Sequence, residues 1–154
     1  MSRVQRIFLF TLFSTAFITV HGQIRKDSVA IRQLLEKESA TWRSGDIKGH
    51  ADCWHIQPYS RILVSNRDTT FDVPPGIMMN PPVNMMGHGG FSVNSNYKMS
   101  ISGKNAWVSH NEESTSADGK KVYSYEFRIL EKIKGNWKLV GQSIHTYKPK
   151  IISN

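Results

Sequence analysis

Polar and apolar residues alternate from Tyr97 to Tyr147, and three turn signals cut that stretch into four strands. Gly103-Lys104 suits a two-residue type II′ loop, with glycine supplying the positive φ that an L-residue resists. That loop sets Ile101 opposite Ala106, Met99 opposite Val108 and Tyr97 opposite His110. Asp118-Gly119 suits a type I′ loop, and counting back from it sets Ser114 opposite Tyr123, Glu112 opposite Tyr125, His110 opposite Phe127 and Val108 opposite Ile129. Side chains alternate across a strand. Tyr97, Met99, Ile101, Ala106, Val108, Tyr123, Tyr125, Phe127 and Ile129 are therefore predicted on one buried face, with Lys98, Ser100, Ser109, Asn111, Glu126 and Arg128 on the other.

The last turn reads either as a three-residue loop, Lys134-Gly135-Asn136, or as a two-residue loop, Gly135-Asn136. The three-residue form pairs Ile133 with Trp137 and sends Leu139, Gly141, Ser143 and His145 to the apolar side. The shorter loop sends Lys138 and Gln142 there instead, and a one-residue slip replaces His145 by Ile144.

Upstream the period changes to that of a helix. Ile31, Leu34, Leu35 and Trp42 recur at helical spacing, Asp27 suits the cap and Ser44-Gly45 the stop. Asp46 suits the cap of a shorter helix in which Ile47, Ala51 and Trp54 share a side, weakened by about 1 kcal/mol at Gly49 relative to alanine. Glu38 lies on the stripe of Leu35 and Trp42, where a carboxylate needs a partner or rises in pKa. Residues 61–65 and 69–73 flank Asn66-Arg67-Asp68 as a small hairpin. Residues 74–90 hold four prolines and four methionines, a composition for a loop or lid across the open end of the sheet, with Gly87, Gly89 and Gly90 around His88 read as a hinge. The methionines suit an adaptable apolar lining. With His88 they are also soft donors of the kind Cu(I) takes, but their paired spacing is irregular, and neither a metal nor a cofactor is expected.

Residues 1–22 carry Arg3 and Arg6, an apolar run from Ile7 to Val20, and small residues at a signal-peptidase site. The run is shorter and its exit more polar than a stable membrane span requires. A cleaved secretory signal is expected, with residues 23–154 as a single secreted or periplasmic domain. Its removal takes two arginines and no acid, lowering the net charge from +8 to +6. The lysines scatter over turns and the tail rather than forming a patch, so no nucleic-acid partner is expected. Cys53 is the single cysteine, so no internal disulfide forms, and it reads as a packed thiol.

A helix ending in Trp42-Arg43-Ser44-Gly45-Asp46, a short second helix, a small hairpin and a long antiparallel sheet finishing in Gly135-Asn136-Trp137-Lys138-Leu139-Val140 resemble the nuclear transport factor 2-like, or SnoaL-like, superfamily over residues 27–147. The resemblance implies an α+β fold: a cone-shaped curved antiparallel sheet wrapping the long N-terminal helix, as in cystatin-like proteins, with an apolar cavity at one end. That superfamily includes ketosteroid isomerase, scytalone dehydratase, polyketide cyclases and epoxide hydrolases beside binding proteins, so fold does not assign activity. No residue matches one family's catalytic set position by position.

The predicted register makes Tyr97, His110, Glu112, Tyr123, Tyr125, Ser143 and His145 the polar members of the apolar face, with Tyr125 between Glu112 and His145. The expected function is a pocket for a small apolar molecule, lined by Glu38, Trp42, Tyr97, Glu112, Tyr123, Phe127 and Ser143. The alternative is a cofactor-independent isomerase or lyase, with His110 or His145 as base and Tyr125 as donor to an enolate-like oxygen. The family likeness also suggests a homodimer through the outer sheet face, where Trp107 and Leu130 are expected to form a small apolar patch.

Overall fold

The computed structural model describes residues 3–149, with side chains from Gly22 onward. Apart from Gly22, the expected leader lies outside the residues with described side chains. Helix α1 (Arg3–Ser44) runs through the predicted cap position, and Asp27 has another task. Its carboxylate accepts hydrogen bonds from Trp137 Nε1 at 3.0 Å and Lys132 Nζ at 2.5 Å, tying the helix to the far end of the sheet. Ile31, Leu35, Glu38, Ser39, Trp42 and Arg43 form the face that α1 turns toward the sheet. Ile31 and Leu35 are fully buried, worth about 1.5–3 kcal/mol each in apolar transfer. The helix stops where Gly45 takes φ 73°, with Gly45 N bonding Trp42 O and Asp46 N bonding Thr41 O, a Schellman motif. Asp46 Oδ1 then caps α2 (Ile47–Ala51) through Gly49 N.

Strands β1 (Ile62–Ser65) and β2 (Thr70–Asp72) form the small hairpin, closed by Asn66 Oδ1 accepting from Asp68 N and Thr69 N. Two short 3₁₀ turns, Pro75–Met78 and Val83–Met85, carry the chain to β3 (Phe91–Ser102), β4 (Asn105–Thr115), β5 (Lys121–Ile133) and β6 (Asn136–Tyr147). The sheet order is β2-β1-β6-β5-β4-β3, antiparallel except that β1 runs parallel to β6. Among the described residues no helix is long and apolar enough to cross a membrane.

The first hairpin has the predicted register near its turn, where Ser102 pairs Asn105 around Gly103-Lys104 with Gly103 at φ 59°, and Ile101 pairs Ala106 and Met99 pairs Val108; a bulge between Ser95 and Lys98, with Asn96 at φ 55°, then breaks it where Tyr97 was expected opposite His110. The second hairpin does not have its predicted register. Ser116-Ala117-Asp118-Gly119 forms a type I-like turn, Gly119 N bonding Ser116 O, and Gly119 adopts φ 82° before Lys120 O accepts from Ser116 N. This is a three-residue loop, Ala117-Asp118-Gly119, ending in a left-handed glycine, so Asp118-Gly119 sits one place later in the turn than a type I′ loop requires. Every partner on β5 shifts by one: Glu112 pairs Ser124, His110 pairs Glu126 and Val108 pairs Arg128. A one-residue shift exchanges the faces of a strand. Ser124, Glu126, Arg128 and Leu130 are buried beneath the sheet, while Tyr125, Phe127 and Ile129 lie on the exposed outer side and Tyr123 is half-buried there.

The third hairpin turns on Lys134-Gly135, both residues at positive φ, and Ile133 pairs Asn136. Neither expected loop forms. Leu139 does face inward, but a bulge at Val140 then resets the strand, so Gln142, Ile144 and Thr146 face inward and Gly141, Ser143 and His145 outward. Leu130, expected on the outer face with Trp107, is fully buried in the core beside Leu139; Trp107 instead stacks on Phe127 outside, ring centroids 5.8 Å apart.

Candidate functional site

Between α1, the inner sheet face and the β1–β2 hairpin lies a cavity of about 800 Å³, within the range of small-molecule sites. Its wall is apolar: Ile62, Val64, Phe71, Val73, Met78, Met85 and Ile144, with Trp42 from the helix. Its floor is charged: Glu38 and Arg43 come from α1, Glu112 from β4, and Glu126 and Arg128 from β5, where the shifted register turns them inward, interleaved with Ser39, Ser114, Ser124 and Gln142.

Two ion-paired groups organise that floor. Arg43 Nη1 donates to Glu112 Oε1 and to Ser114 Oγ, both at 3.0 Å, and Arg43 Nη2 donates to Ser39 and Ser92. Ser39 Oγ donates to the other Glu112 oxygen at 2.7 Å. On β5, Arg128 Nη2 donates to Glu126 Oε2, and Ser124 Oγ donates to Glu126 Oε1 at 2.8 Å. These charges are all buried, which is costly unless each meets an opposite charge with good hydrogen-bond geometry. Burial alone would raise the Glu126 carboxyl, but the adjacent Arg128 and His110 hold it below its usual range. Those same carboxylates keep the Arg128 guanidinium protonated despite its burial.

Glu38 is the third carboxyl and is only 5% exposed. Arg128 Nη2 stands 3.5 Å from its Oε2 and His50 Nδ1 3.7 Å from its Oε1. Burial, reinforced by Glu126 and Glu112 and only partly opposed by Arg128, pushes its pKa up to about 7. Burial depresses the His50 imidazole to about 4, so it stays neutral behind the carboxyl.

The glycine-rich segment is a close-packed strap. Gly87 N and Gly89 N donate to Trp42 O and Arg43 O at 3.0 and 2.7 Å, satisfying carbonyls at the end of α1. A Cβ on Gly87 would stand 2.8 Å from Arg43 Cα, and one on Gly90 would stand 2.1 Å from Thr115 O. Glycine is needed here so that two backbones can touch, which holds Arg43 beneath the cavity; the expected hinge is corrected accordingly.

Of the sequence-predicted residues, Glu38, Trp42 and Glu112 line the cavity. His110 is 1% exposed but lies outside the lining, stacked on Tyr97 with centroids 5.2 Å apart and Nε2 3.7 Å from Glu126 Oε2; burial lowers its pKa. Tyr97 is half-buried there, with Arg32 Cζ 4.7 Å from its ring centre. Tyr123, Tyr125, Phe127, Ser143 and His145 are on the outer sheet face, where Tyr125 is 44% exposed and Ser143 Oγ lies 2.6 Å from His145 Nε2. The triad of His110, His145 and Tyr125 is therefore split across the sheet. Sequence reasoning missed Arg43, His50, Glu126 and Arg128 as members of the site, and reached Gln142 only through the shorter-loop alternative. The available signal was the acid–base alternation Ser124, Glu126, Arg128, which has the period of a strand face but not the polarity expected of a buried one. Cys53 is buried with its thiol pushed up to about 11, first by desolvation, as fits a packed side chain. Among the described residues no group of three or more His, Cys, Asp or Glu side chains is arranged to hold a metal ion.

No protein-family model matches the chain, and no curated protein matches it. Solved structures do. A nuclear transport factor 2-like protein with a cystatin-like fold from Novosphingobium aromaticivorans superimposes with a TM-score of 0.66 at 12% identity, covering 87% of this chain and 90% of that one. A protein of unknown function with a cystatin-like fold from Nostoc punctiforme gives 0.62 at 11% identity, over 82% and 96% of the two chains. A nuclear transport factor 2-like protein of unknown function from Methylobacillus flagellatus gives 0.60 at 18% identity, over 80% and 94%. A helix laid under a six-stranded sheet, with a cavity between them and these structural neighbours, shows that the chain has the nuclear transport factor 2-like fold.

Proposed function

We propose that this protein is an exported binding protein that holds a small amphipathic molecule in the cavity beneath its sheet. The observation that carries the reading is the division of that cavity into an apolar wall and a charged, hydrogen-bonded floor. Apolar burial against the wall supplies affinity, and the few polar groups of the floor set orientation. Native mass spectrometry of protein recovered from the exported fraction is expected to show a bound small molecule. Val64→Trp, which fills the wall, is expected to abolish uptake of the neutral fluorophore N-phenyl-1-naphthylamine. A bare protein mass together with uptake unchanged in the variant would refute the reading.

Export rests on the leader pattern of residues 1–22. Amino-terminal sequencing of the secreted form should begin at Gln23; a retained leader would count against export. The exposed outer face, with Trp107, Tyr125, Phe127 and Ile129, is read as the contact for a second copy of the chain.

A further inference from the structure

We propose that the molecule held in the cavity is a cationic amphiphile, an alkyl ammonium or a related amine, with its positive head beside the carboxyl of Glu38. This rests on the ligand-site reading above and adds the charge of the ligand to it.

The floor carries three carboxyl groups and two guanidinium groups. Arg43 is committed to Glu112, whose oxygens also take Ser39, and Arg128 gives Nη2 to Glu126, whose other oxygen takes Ser124, while its Nε and Nη1 are buried without a hydrogen-bond partner among the described residues. Glu38 is left over. Its separations from Arg128 and His50 exceed ordinary hydrogen-bond length, yet it is more than nine-tenths buried and lines the cavity. Gln142, from β6, also lines the cavity, and its Oε1 is a buried acceptor without a partner among the described residues. Asp118 at the rim adds a fourth acid. A chain whose net charge is +8 therefore has a cavity with more acids than arginines, the reverse of its overall balance. An anionic head would meet Glu38 and the paired carboxylates in a medium that screens them poorly, whereas an ammonium supplies the missing positive charge and three donors. Trp42 and Phe71 are aromatic residues of the lining, a type of side chain that attracts such a head.

The groups facing Glu38 set the pH response. They are His50 on α2, Glu112 on β4, and Glu126 and Arg128 on β5, with Arg43 of its own helix and His88 of the strap also on the lining. Because burial keeps much of Glu38 protonated near neutrality, an ammonium that needs its ionised form must displace that proton. Affinity then weakens by about tenfold per pH unit below about 7 and levels off above it.

Calorimetric titration with octylamine, octanol and octanoate separates the possibilities. The expected order is octylamine first by at least about tenfold at pH 8, with proton release on octylamine binding near pH 7, read from the dependence of heat on buffer ionisation, and none with octanol. Glu38→Gln should reduce octylamine to the octanol level and abolish the proton release on octylamine binding. Should that variant fold poorly, the pH slope and proton release of the unaltered protein decide the matter. Octanol or octanoate binding as tightly as octylamine overturns the charge assignment but leaves the ligand site standing. If none of the three binds and N-phenyl-1-naphthylamine is not taken up either, both readings fall.

Discussion

Glu38 shows how one side chain can make a fold sensitive to pH. Its carboxyl has an ordinary value of 4.5 and is pushed up to about 7 in the folded protein, so the native state holds a proton that the unfolded chain releases. The associated stability is complete below about 4.5 and is lost as pH rises through about 7, at most about 3 kcal/mol in total. His50 acts in the other direction. Its folded value falls from 6.5 to about 4, so its contribution is present above about 6.5 and fades as pH falls toward 4. Glu38→Gln, which cannot ionise, should flatten the upper arm: urea midpoints measured between pH 6 and 9 are expected to fall in the parent protein and to stay nearly level in the variant. Parallel curves would show that Glu38 titrates normally in the fold. The helical stripe in the sequence already placed Glu38 beside Leu35 and Trp42, which made its burial legible. Its neighbours were not legible, because His50 on α2 and Glu126 and Arg128 on β5 reach it from two separate places in the chain.

Turns decide what the strands present. Gly103 was readable because a two-residue loop leaves few ways to close a hairpin, and that register held from the turn as far as Lys98 and Ser109. Asp118-Gly119 is compatible with two loop lengths, and the longer one exchanged the faces of β5. The Val140 bulge did the same to the end of β6; an extra residue in a strand has no local sequence mark comparable to a turn glycine. Glycines of similar φ also differ in role. Gly103 has φ 59° and open space around its Cβ direction, so Gly103→Ala should cost about 1 kcal/mol of strain. Gly90 has φ 97° and the Thr115 carbonyl oxygen where a Cβ would go, so Gly90→Ala should cost about 2 kcal/mol or more and loosen the strap beneath Arg43. Thermal denaturation of the two variants side by side tests the ranking. Equal losses would mean that the strap is not packed as described.

At the scale of the whole molecule, the sheet separates two surfaces with different chemistry. The inner one surrounds the cavity with its paired charges, and the outer one exposes Trp107, Phe127 and Ile129. If a second copy covers the outer surface, sedimentation equilibrium should give a dimer mass for the parent protein and a monomer for Ile129→Glu, with uptake in the cavity retained. A parent protein that sediments as a monomer at all concentrations would rule out that contact. The hydrophobic period, the Ser44-Gly45 stop and the turn of the first hairpin were enough to determine a helix followed by an antiparallel sheet, because those signals are local and repeat every two or 3.6 residues, while the wrapping of that helix by a curved sheet was implied by the family resemblance. Which side chains share the cavity was decided only in the folded molecule. It depended on a one-residue choice of loop, a bulge, and buried charges whose partners lie up to 90 positions away, and each of those is settled by packing and charge pairing across the fold rather than by neighbours along the chain.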